Sequence, residues 1–461
     1  MTDLPQTLKD IVGTAGFLAG DDVEPRYFND VMDNPGIKPE LVLRPSTTDE
    51  VSKIMAACHA AGQPVVLQGG MTGLVGATVP QQGEIVLSME RMTAIEEIDA
   101  ASGSMTVQSG AVLQNIEEAA DDAGLKFPLD LGARGSCRIG GNISTNAGGN
   151  RVLRFGMTRN LVLGLEAVLP DGTIIDSCKK LMKNNTGYDL KHLFIGSEGT
   201  LGVVTRAVLR LFPKPKTQIV ALCGMESFEQ VRNLLGYMRE QHGGELSAFE
   251  VMWADYYQSA CTHLTTAKPL PDTYPYYVLT EIMGADPDKD AEHFGQSLNR
   301  ALEDGIIVDA VISQSLGEVK EIWKIRDLST EVTGSMMPML GYDVSLPIGD
   351  IPEFVDTLGA QLAEKFPESK TIYFGHLGDG NLHVITTAGA DTQEGSKFTD
   401  SLIYEKTGAA NGSISAEHGI GMLKRPYLHR SRSEEEIALM RTLKNAMDPK
   451  GILNPGRIFE A

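Results

Sequence analysis

The sequence predicts an α+β protein. Its first part alternates helices and strands around two glycine-rich loops, its second part is built on an antiparallel sheet, and a charged helical segment closes it. Three observations lead there. Short apolar runs and helical repeats alternate up to about residue 214. The turn sequence PKPK at 213–216 then marks a change to long helices separated by short strand-like runs. From about Pro426 a charged helix leads into MDPKGILNPGRIFE.

In chain order, 47–61 reads as a helix, opened by the cap region Ser46-Thr47-Thr48-Asp49 and closed by Gly62. Strands at 64–67, 84–87 and 104–107 surround the first glycine loop, and 112–123 is a helix ending at Gly124. Residues 163–169 and 173–176 form a hairpin about Asp171-Gly172, and a strand at 203–212 ends at Pro213. In the second part, 226–242, 288–304 and 351–366 have helical periodicity. Between them lie strands at 276–282, 306–311, 371–375 and 382–387, which suit an antiparallel sheet with helices on one face.

The glycine loops carry the first chemical signal. The strand-like run Pro64–Leu67 ends in Gly69, Gly70, Gly73 and Gly76, and a second loop carries Ser136, Asn142, Ser144, Thr145 and Asn146. Glycine lets a backbone approach a ligand closely, and successive free N–H groups make a concave anion site. A pyrophosphate suits such a site, although G-x-G-x-x-G and the P-loop pattern are both absent. The two loops therefore point to a dinucleotide held without a Rossmann fold.

Composition narrows the partners. The formal net charge of -21 disfavours nucleic acid and anionic membranes. Five cysteines with no CxxC spacing suggest a reducing compartment, which we read as cytoplasmic, or as mitochondrial matrix for a processed precursor. No apolar run approaches the roughly 18 residues of a membrane span, and no secretory signal is visible at the start.

YFGHLGDGNLHVITT supplies the second signal. With Asp379-Gly380 as a two-residue turn, His376 would face His383 across a hairpin. Directly opposed residues have Cβ atoms about 4.5–5.5 Å apart, so the two imidazoles could share one divalent ion. A third ligand is expected from Ser415-Ala416-Glu417-His418-Gly419, where a carboxylate and an imidazole are adjacent. Mixed nitrogen and oxygen ligation suits zinc, and also manganese or cobalt. In EIWKIRDLSTEVTG, Arg326 and Thr330 sit four apart, on one face of a predicted helix, where a guanidinium fork and a hydroxyl could hold a carboxylate.

Taken together, QGGMTGLVGA, GSCRIGGNISTNAGG, LEAVLPDG, NNTGYDLKHLFIGSEGTLGVVT and ILNPGRI resemble the vanillyl-alcohol-oxidase (PCMH-type) FAD flavoproteins. Within these they resemble the D-2-hydroxy-acid dehydrogenases, which act on D-2-hydroxyglutarate or D-lactate. The resemblance runs from about Leu41 to Ile458. It implies a PCMH-type FAD-binding domain of two subdomains at 1–214, a substrate (cap) domain at 215–425, and a tail at 426–461 that packs back on the first. It also implies FAD contacts from Gln68, Gly69, Gly70, Met71, Thr72, Gly73 and Leu74. Further contacts are expected from Asp130, Gly132, Ser136, Gly141, Asn142, Thr145, Asn146 and Gly149, and from Glu198, Gly202, Val203, Val204 and Asn454. The implied metal ligands are His376, His383 and Glu417. His418 is implied as the base that also touches substrate, its alternative being a fourth metal ligand. Arg326 and Thr330 are implied substrate contacts. FAD is expected to be non-covalent, since no His or Cys lies in the first glycine loop and Cys137 reads as a buried thiol. The expected partners are a small D-2-hydroxy acid and an electron acceptor such as an electron-transfer flavoprotein or a quinone-linked carrier, with a homodimer an open alternative.

One departure bears on substrate. The D-2-hydroxyglutarate enzymes, as the resemblance is drawn, have a lysine where PMLGYDVSLP has Gly341, so smaller or less polar D-2-hydroxy acids come into view; Lys324 or Arg425 could supply another cation. Rival readings are an oxygen-using oxidase or reductase of the same fold, and a flavin electron-transfer subunit of a glycolate-oxidase-like complex.

Overall fold

The computed structural model describes residues 3–30 and 36–460. Two compact units divide the chain. The first comprises Met1–Gly149, Gly156–Lys214 and Glu417–Ala461, and the second comprises Asn150–Phe155 and Pro215–Ala416. The chain thus re-enters the first unit at Glu417, ahead of the sequence division at 425/426, and a short piece near 150 belongs to the second unit.

The first unit holds a four-stranded sheet in the order Phe17–Ala19, Leu41–Leu43, Ile85–Ser88, Val65–Gln68. Its last three strands run parallel. The helix Thr48–Ala61 packs on it through Val51, Ile54, Met55 and Cys58, in one core with Val65, Ile85 and Leu87. That helix starts where Thr47 accepts from the Glu50 N–H and stops at Gly62, whose φ of 67° no β-branched residue would tolerate. A five-stranded antiparallel sheet follows, in the order Ile95–Asp99, Ser104–Gln108, Val203–Arg210, Val162–Val168, Ile174–Ser177.

The C-terminal tail belongs to this unit. The Val65 N–H donates to the Ile452 carbonyl at 2.7 Å and the Asn454 N–H to the Val65 carbonyl at 2.9 Å. Lys444 is buried and donates to the carbonyls of Thr200 and Leu453, at 2.9 and 2.7 Å, and to the Asp448 carboxylate. Arg457, 1% exposed, grips the buried Glu84 with both Nη atoms and donates to the carbonyls of Ala77, Val79 and Pro455. The glycine loop after Val65–Gln68 is thus closed from behind by the last residues of the chain.

The second unit is a seven-stranded antiparallel sheet. Its order is Asp309–Ile312, Thr217–Met225, Tyr276–Gly284, Leu246–Trp253, Thr371–His376, Asn381–Thr386, Leu340–Ser345. The expected strands and the helices Phe228–His242, Pro287–Glu303 and Ile351–Lys365 are present within a few residues. The expectation of helices on one face is corrected: both faces are covered. Met252 and Ala248 pack with Tyr256, Val319 and Trp323 on one side. On the other, Trp253 meets Phe228 of the helix Phe228–His242, with ring centroids 5.8 Å apart. Alternate residues of one strand point to opposite faces, so the two helix layers lie on opposite sides.

Breaking a buried ion pair leaves an uncompensated charge and costs about 3–5 kcal/mol. Arg457→Met should therefore lower the unfolding free energy by about that much, read from chemical denaturation. The double variant Arg457→Met with Glu84→Leu should recover much of the loss. An unchanged denaturation midpoint in the single variant would mean that the tail is not held by this pair.

Candidate functional site

Two adjoining hollows in the first unit share Gln68 and Gly69. Gly141, Thr145, Glu198, Val203, Val204 and Asn454 are among the residues lining one, and Gly70, Met71 and Ser136 among those lining the other. The loop turns through Met71, a non-glycine at φ 58°. Gly73, Gly132 and Gly141 have no atom within 4 Å of where a Cβ would stand, so their lack of a side chain leaves room for a ligand rather than for internal packing. Gly70 does the reverse: a Cβ there would lie 2.3 Å from the Ser136 carbonyl oxygen, which brings the two loops together. The Gln68 Oε1, Ser109 Oγ and Asn142 Oδ1 atoms are buried without a hydrogen-bond partner. Open glycines and waiting polar atoms fit a flavin dinucleotide.

Other expected cofactor residues are committed within the protein. Asp130 pairs with Arg134 at 3.0 Å, Asn146 accepts from the Arg159 N–H at 2.9 Å, and Gly202 is packed on the Phe194 ring. The Gly149 N–H donates to the Glu417 carboxylate at 2.8 Å. Thr72 is half-buried and Leu74 is exposed. Glu198, in the left-handed region at φ 50°, turns its carboxylate to the N–H groups of Ile420 and Gly421, both at 2.7 Å. Burial pushes that carboxyl up from its ordinary value, against the pull of the two N–H donors. Asn454 ties the Glu198 carbonyl to the Leu67 N–H. Glu198 thereby fastens the loop that follows Glu417 and His418.

In the second unit the hairpin register differs from expectation. Phe374, not His376, stands opposite His383, because Leu377–Asp379 makes a 3-10 turn and Gly380 follows at φ 82°. The connection therefore takes up two residues more than the Asp-Gly turn. His376 and His383 become diagonal neighbours on the same face, with ring centroids 5.3 Å apart. They still meet, by a different geometry from the one predicted.

The residue directly opposite His376 on the other side is Glu250. It is 1% exposed, and its Oε1 lies 2.7 Å from His376 Nδ1. Its Oε2 accepts from Arg326 Nε at 2.9 Å. Burial pushes the Glu250 carboxyl up, but its partners His376 and Arg326 outweigh burial and hold it below the usual range. Behind His383, Asp343 is its direct cross-strand partner, with 3.6 Å between Oδ1 and Nδ1, and accepts from Asn381 Nδ2 at 2.6 Å.

Arg326 is buried, at 7% exposure, with its guanidinium 4.7 Å above the Phe374 ring. The expected single helix through Arg326 and Thr330 is corrected: Leu316–Asp327 and Ser329–Gly334 are separate helices, broken at Leu328, and Thr330 is exposed. The two residues do not share a helical face. Lys324 Nζ lies 3.5 Å from Thr265 Oγ1, and Arg425 donates to the Gly456 carbonyl. Cys137 is buried, and burial pushes its thiol up.

Sequence reasoning missed Glu250, and with it the strand Leu246–Trp253. The signal was a lone carboxylate in the apolar run LSAFEVMW. A charge in an otherwise buried strand requires partners.

A family model described as "FAD binding domain" matches residues 39–177, and one described as "FAD linked oxidases, C-terminal domain" matches 214–458. The chain is 42% identical over 421 residues to a protein of Bos taurus named D-2-hydroxyglutarate dehydrogenase, mitochondrial, covering 91% of this chain and 77% of that one. It is 39% identical to the D-2-hydroxyglutarate dehydrogenase of Xanthomonas citri pv. viticola, over 92% of this chain and 89% of that one. A Schizosaccharomyces pombe protein provisionally named D-lactate dehydrogenase, mitochondrial, is also 39% identical, over 98% and 89%. Among solved structures, 4-ethylphenol oxidase from Gulosibacter chungangensis aligns with TM-score 0.76 at 17% identity, covering 99% of this chain and 97% of that one. p-Cresol methylhydroxylase aligns equally well, at 14% identity over 99% and 96%. The fold is that of the PCMH-type flavoproteins, and the chain belongs to the FAD-linked oxidase family.

Proposed function

We propose that the protein is an FAD-dependent dehydrogenase that oxidises a D-2-hydroxy acid to the 2-oxo acid with the help of one divalent metal ion. The observation that carries this is the meeting of His376 and His383 on one sheet face, where the buried carboxylate beside His376 also holds the guanidinium of Arg326. The relatives' names supply the substrate class. Bound flavin would accept the hydride from C2, and the ion, zinc before manganese or cobalt, would lower the pKa of the 2-hydroxyl. Glu417 is the third ligand in this reading. It follows Ala416, whose N–H donates to the Asp343 carbonyl at 3.3 Å, so the chain leaves the second unit beside His383's own strand partner.

The residues divide the remaining work. The Nη edge of Arg326 receives the substrate carboxylate, since its Nε is already given to Glu250. His418 takes the hydroxyl proton. The flavin is held without a covalent bond, in keeping with a first loop free of His and Cys and a buried Cys137. The electrons then pass to a carrier protein or a quinone-linked acceptor. A mitochondrial matrix location is consistent with the names of the cattle and fission-yeast relatives, and no helix among the described residues is long and apolar enough to cross a membrane.

Gly341 stands opposite Ile385 on the face that carries His383, where a lysine would be needed for a distal carboxylate. This favours D-lactate and similar monocarboxylates over D-2-hydroxyglutarate. Anaerobic titration tests the whole reading: stoichiometric bleaching of the flavin by a D-2-hydroxy acid supports it, and no bleaching by any such acid would leave an electron carrier. D-Lactate should bleach faster than D-2-hydroxyglutarate, and L-lactate should not bleach at all.

His376→Ala, His383→Ala and Glu417→Ala should each lose bound metal and turnover while keeping flavin absorbance. His418→Ala should keep its metal and slow the reductive half-reaction by about 10²–10⁴-fold. Elemental analysis and stopped-flow absorbance read both. Active protein free of divalent metal would reduce the histidine pair to cross-strand packing.

A further inference from the structure

We propose that Glu250 is the positioning residue of the substrate site, one carboxylate that sets both the tautomer of His376 and the plane of Arg326 while touching neither substrate nor metal. The inference rests on the reading of His376 as a ligand and of Arg326 as a carboxylate clamp.

A carboxylate only accepts hydrogen bonds. At 2.7 Å from Glu250 Oε1, His376 Nδ1 must carry a proton. In the neutral imidazole the lone pair then lies on Nε2, the nitrogen turned away from Glu250, which becomes the metal-binding atom. The other oxygen takes the Arg326 Nε–H at 2.9 Å, which leaves the two Nη groups as a fork. The Phe374 ring beneath the guanidinium fixes its plane. Glu250 also neutralises Arg326 where solvent scarcely reaches, so the clamp can stand ready before substrate arrives. Neither contact is local, since Arg326 and His376 lie 76 and 126 residues away in sequence. The sheet register brings His376 to Glu250, and the helix Leu316–Asp327 packed on the sheet brings Arg326.

Glu250→Gln separates this role from a structural one. An amide replaces one of the two acceptor oxygens with a donating nitrogen, so it cannot keep both contacts, which Glu250 makes through separate oxygens. In the flavin-loaded full chain, zinc affinity measured by chelator competition should fall about 10–100-fold, the usual effect of losing a carboxylate behind a ligating histidine. KM for the D-2-hydroxy acid should rise, while FAD content stays stoichiometric. In ¹⁵N-histidine spectra of metal-stripped protein, His376 should be protonated at Nδ1 in the wild type and move toward the Nε2 tautomer in the variant. Arg326→Gln should raise KM but keep zinc affinity, because the Glu250–His376 contact remains. Unchanged zinc affinity and unchanged His376 tautomer in Glu250→Gln would overturn the proposal. If that variant fails to fold, a wild-type His376 protonated at Nε2 overturns it and one protonated at Nδ1 supports it. Wild type that takes up no metal at all would defeat the metal reading instead, and the tautomer and KM would still decide the part played by Glu250.

Discussion

A carboxylate folded into an apolar sheet is expensive unless donors and cations surround it. Two such carboxylates stand on neighbouring inner strands of the second unit. Glu281, fully buried, accepts from Arg151, Gln218, Ser247 and Trp323. Glu250 accepts from Arg326 and lies against His376. Trp323 and Arg326 are three apart on the helix Leu316–Asp327, so both anions pin the same helical face to the sheet. The short piece Asn150–Phe155 is held to this unit by Arg151 on Glu281 and by Arg154 on the Met283 carbonyl. The anions that would otherwise destabilise the sheet are thus the groups that organise it.

The first unit solves the same problem with backbone amides. Glu198 is buried too, and its carboxylate accepts from the N–H groups of Ile420 and Gly421. Its own backbone is held by Asn454, and the nearby Thr200 carbonyl by Lys444. A side chain at Gly419 would strike the Glu198 carboxylate at 2.9 Å, so the turn after His418 is moulded around it. The cofactor cavity and the loop that carries Glu417 and His418 therefore share one wall, and the C-terminal tail is what keeps that wall in place.

What the sequence showed and what it hid follow from range. Caps and periodicity found the helix Thr48–Ala61 because Thr47 and Gly62 act within a few residues of it. They found inner strands such as Tyr276–Gly284 and Thr371–His376 as short runs of strand-forming residues. The strand Leu246–Trp253 escaped, and Glu250 escaped with it. The break at Leu328 has no proline or glycine to announce it. Asp379-Gly380 looked like a two-residue turn, and the left-handed glycine is there, but the turn begins at Leu377. The histidine pair was legible as a pair, and its diagonal geometry was not, because a shift of register keeps the same face only when it is even.

That register also bears on substrate length. Asp343 stands opposite His383 and Gly341 opposite Ile385, so the second pair lies two residues along the same face. Two residues of strand span about 6.6–6.8 Å, a few carbon–carbon bonds beyond the position of His383. A distal carboxylate on a longer hydroxy acid would need a donor at about that distance. The strand offers a glycine there and an isoleucine methyl 3.4 Å from where a Cβ would stand. The chain is 42% and 39% identical to two proteins named D-2-hydroxyglutarate dehydrogenase. In the proposed substrate site, a few side chains at the end of this strand would set chain-length preference, and they could change while the rest of the fold stays the same.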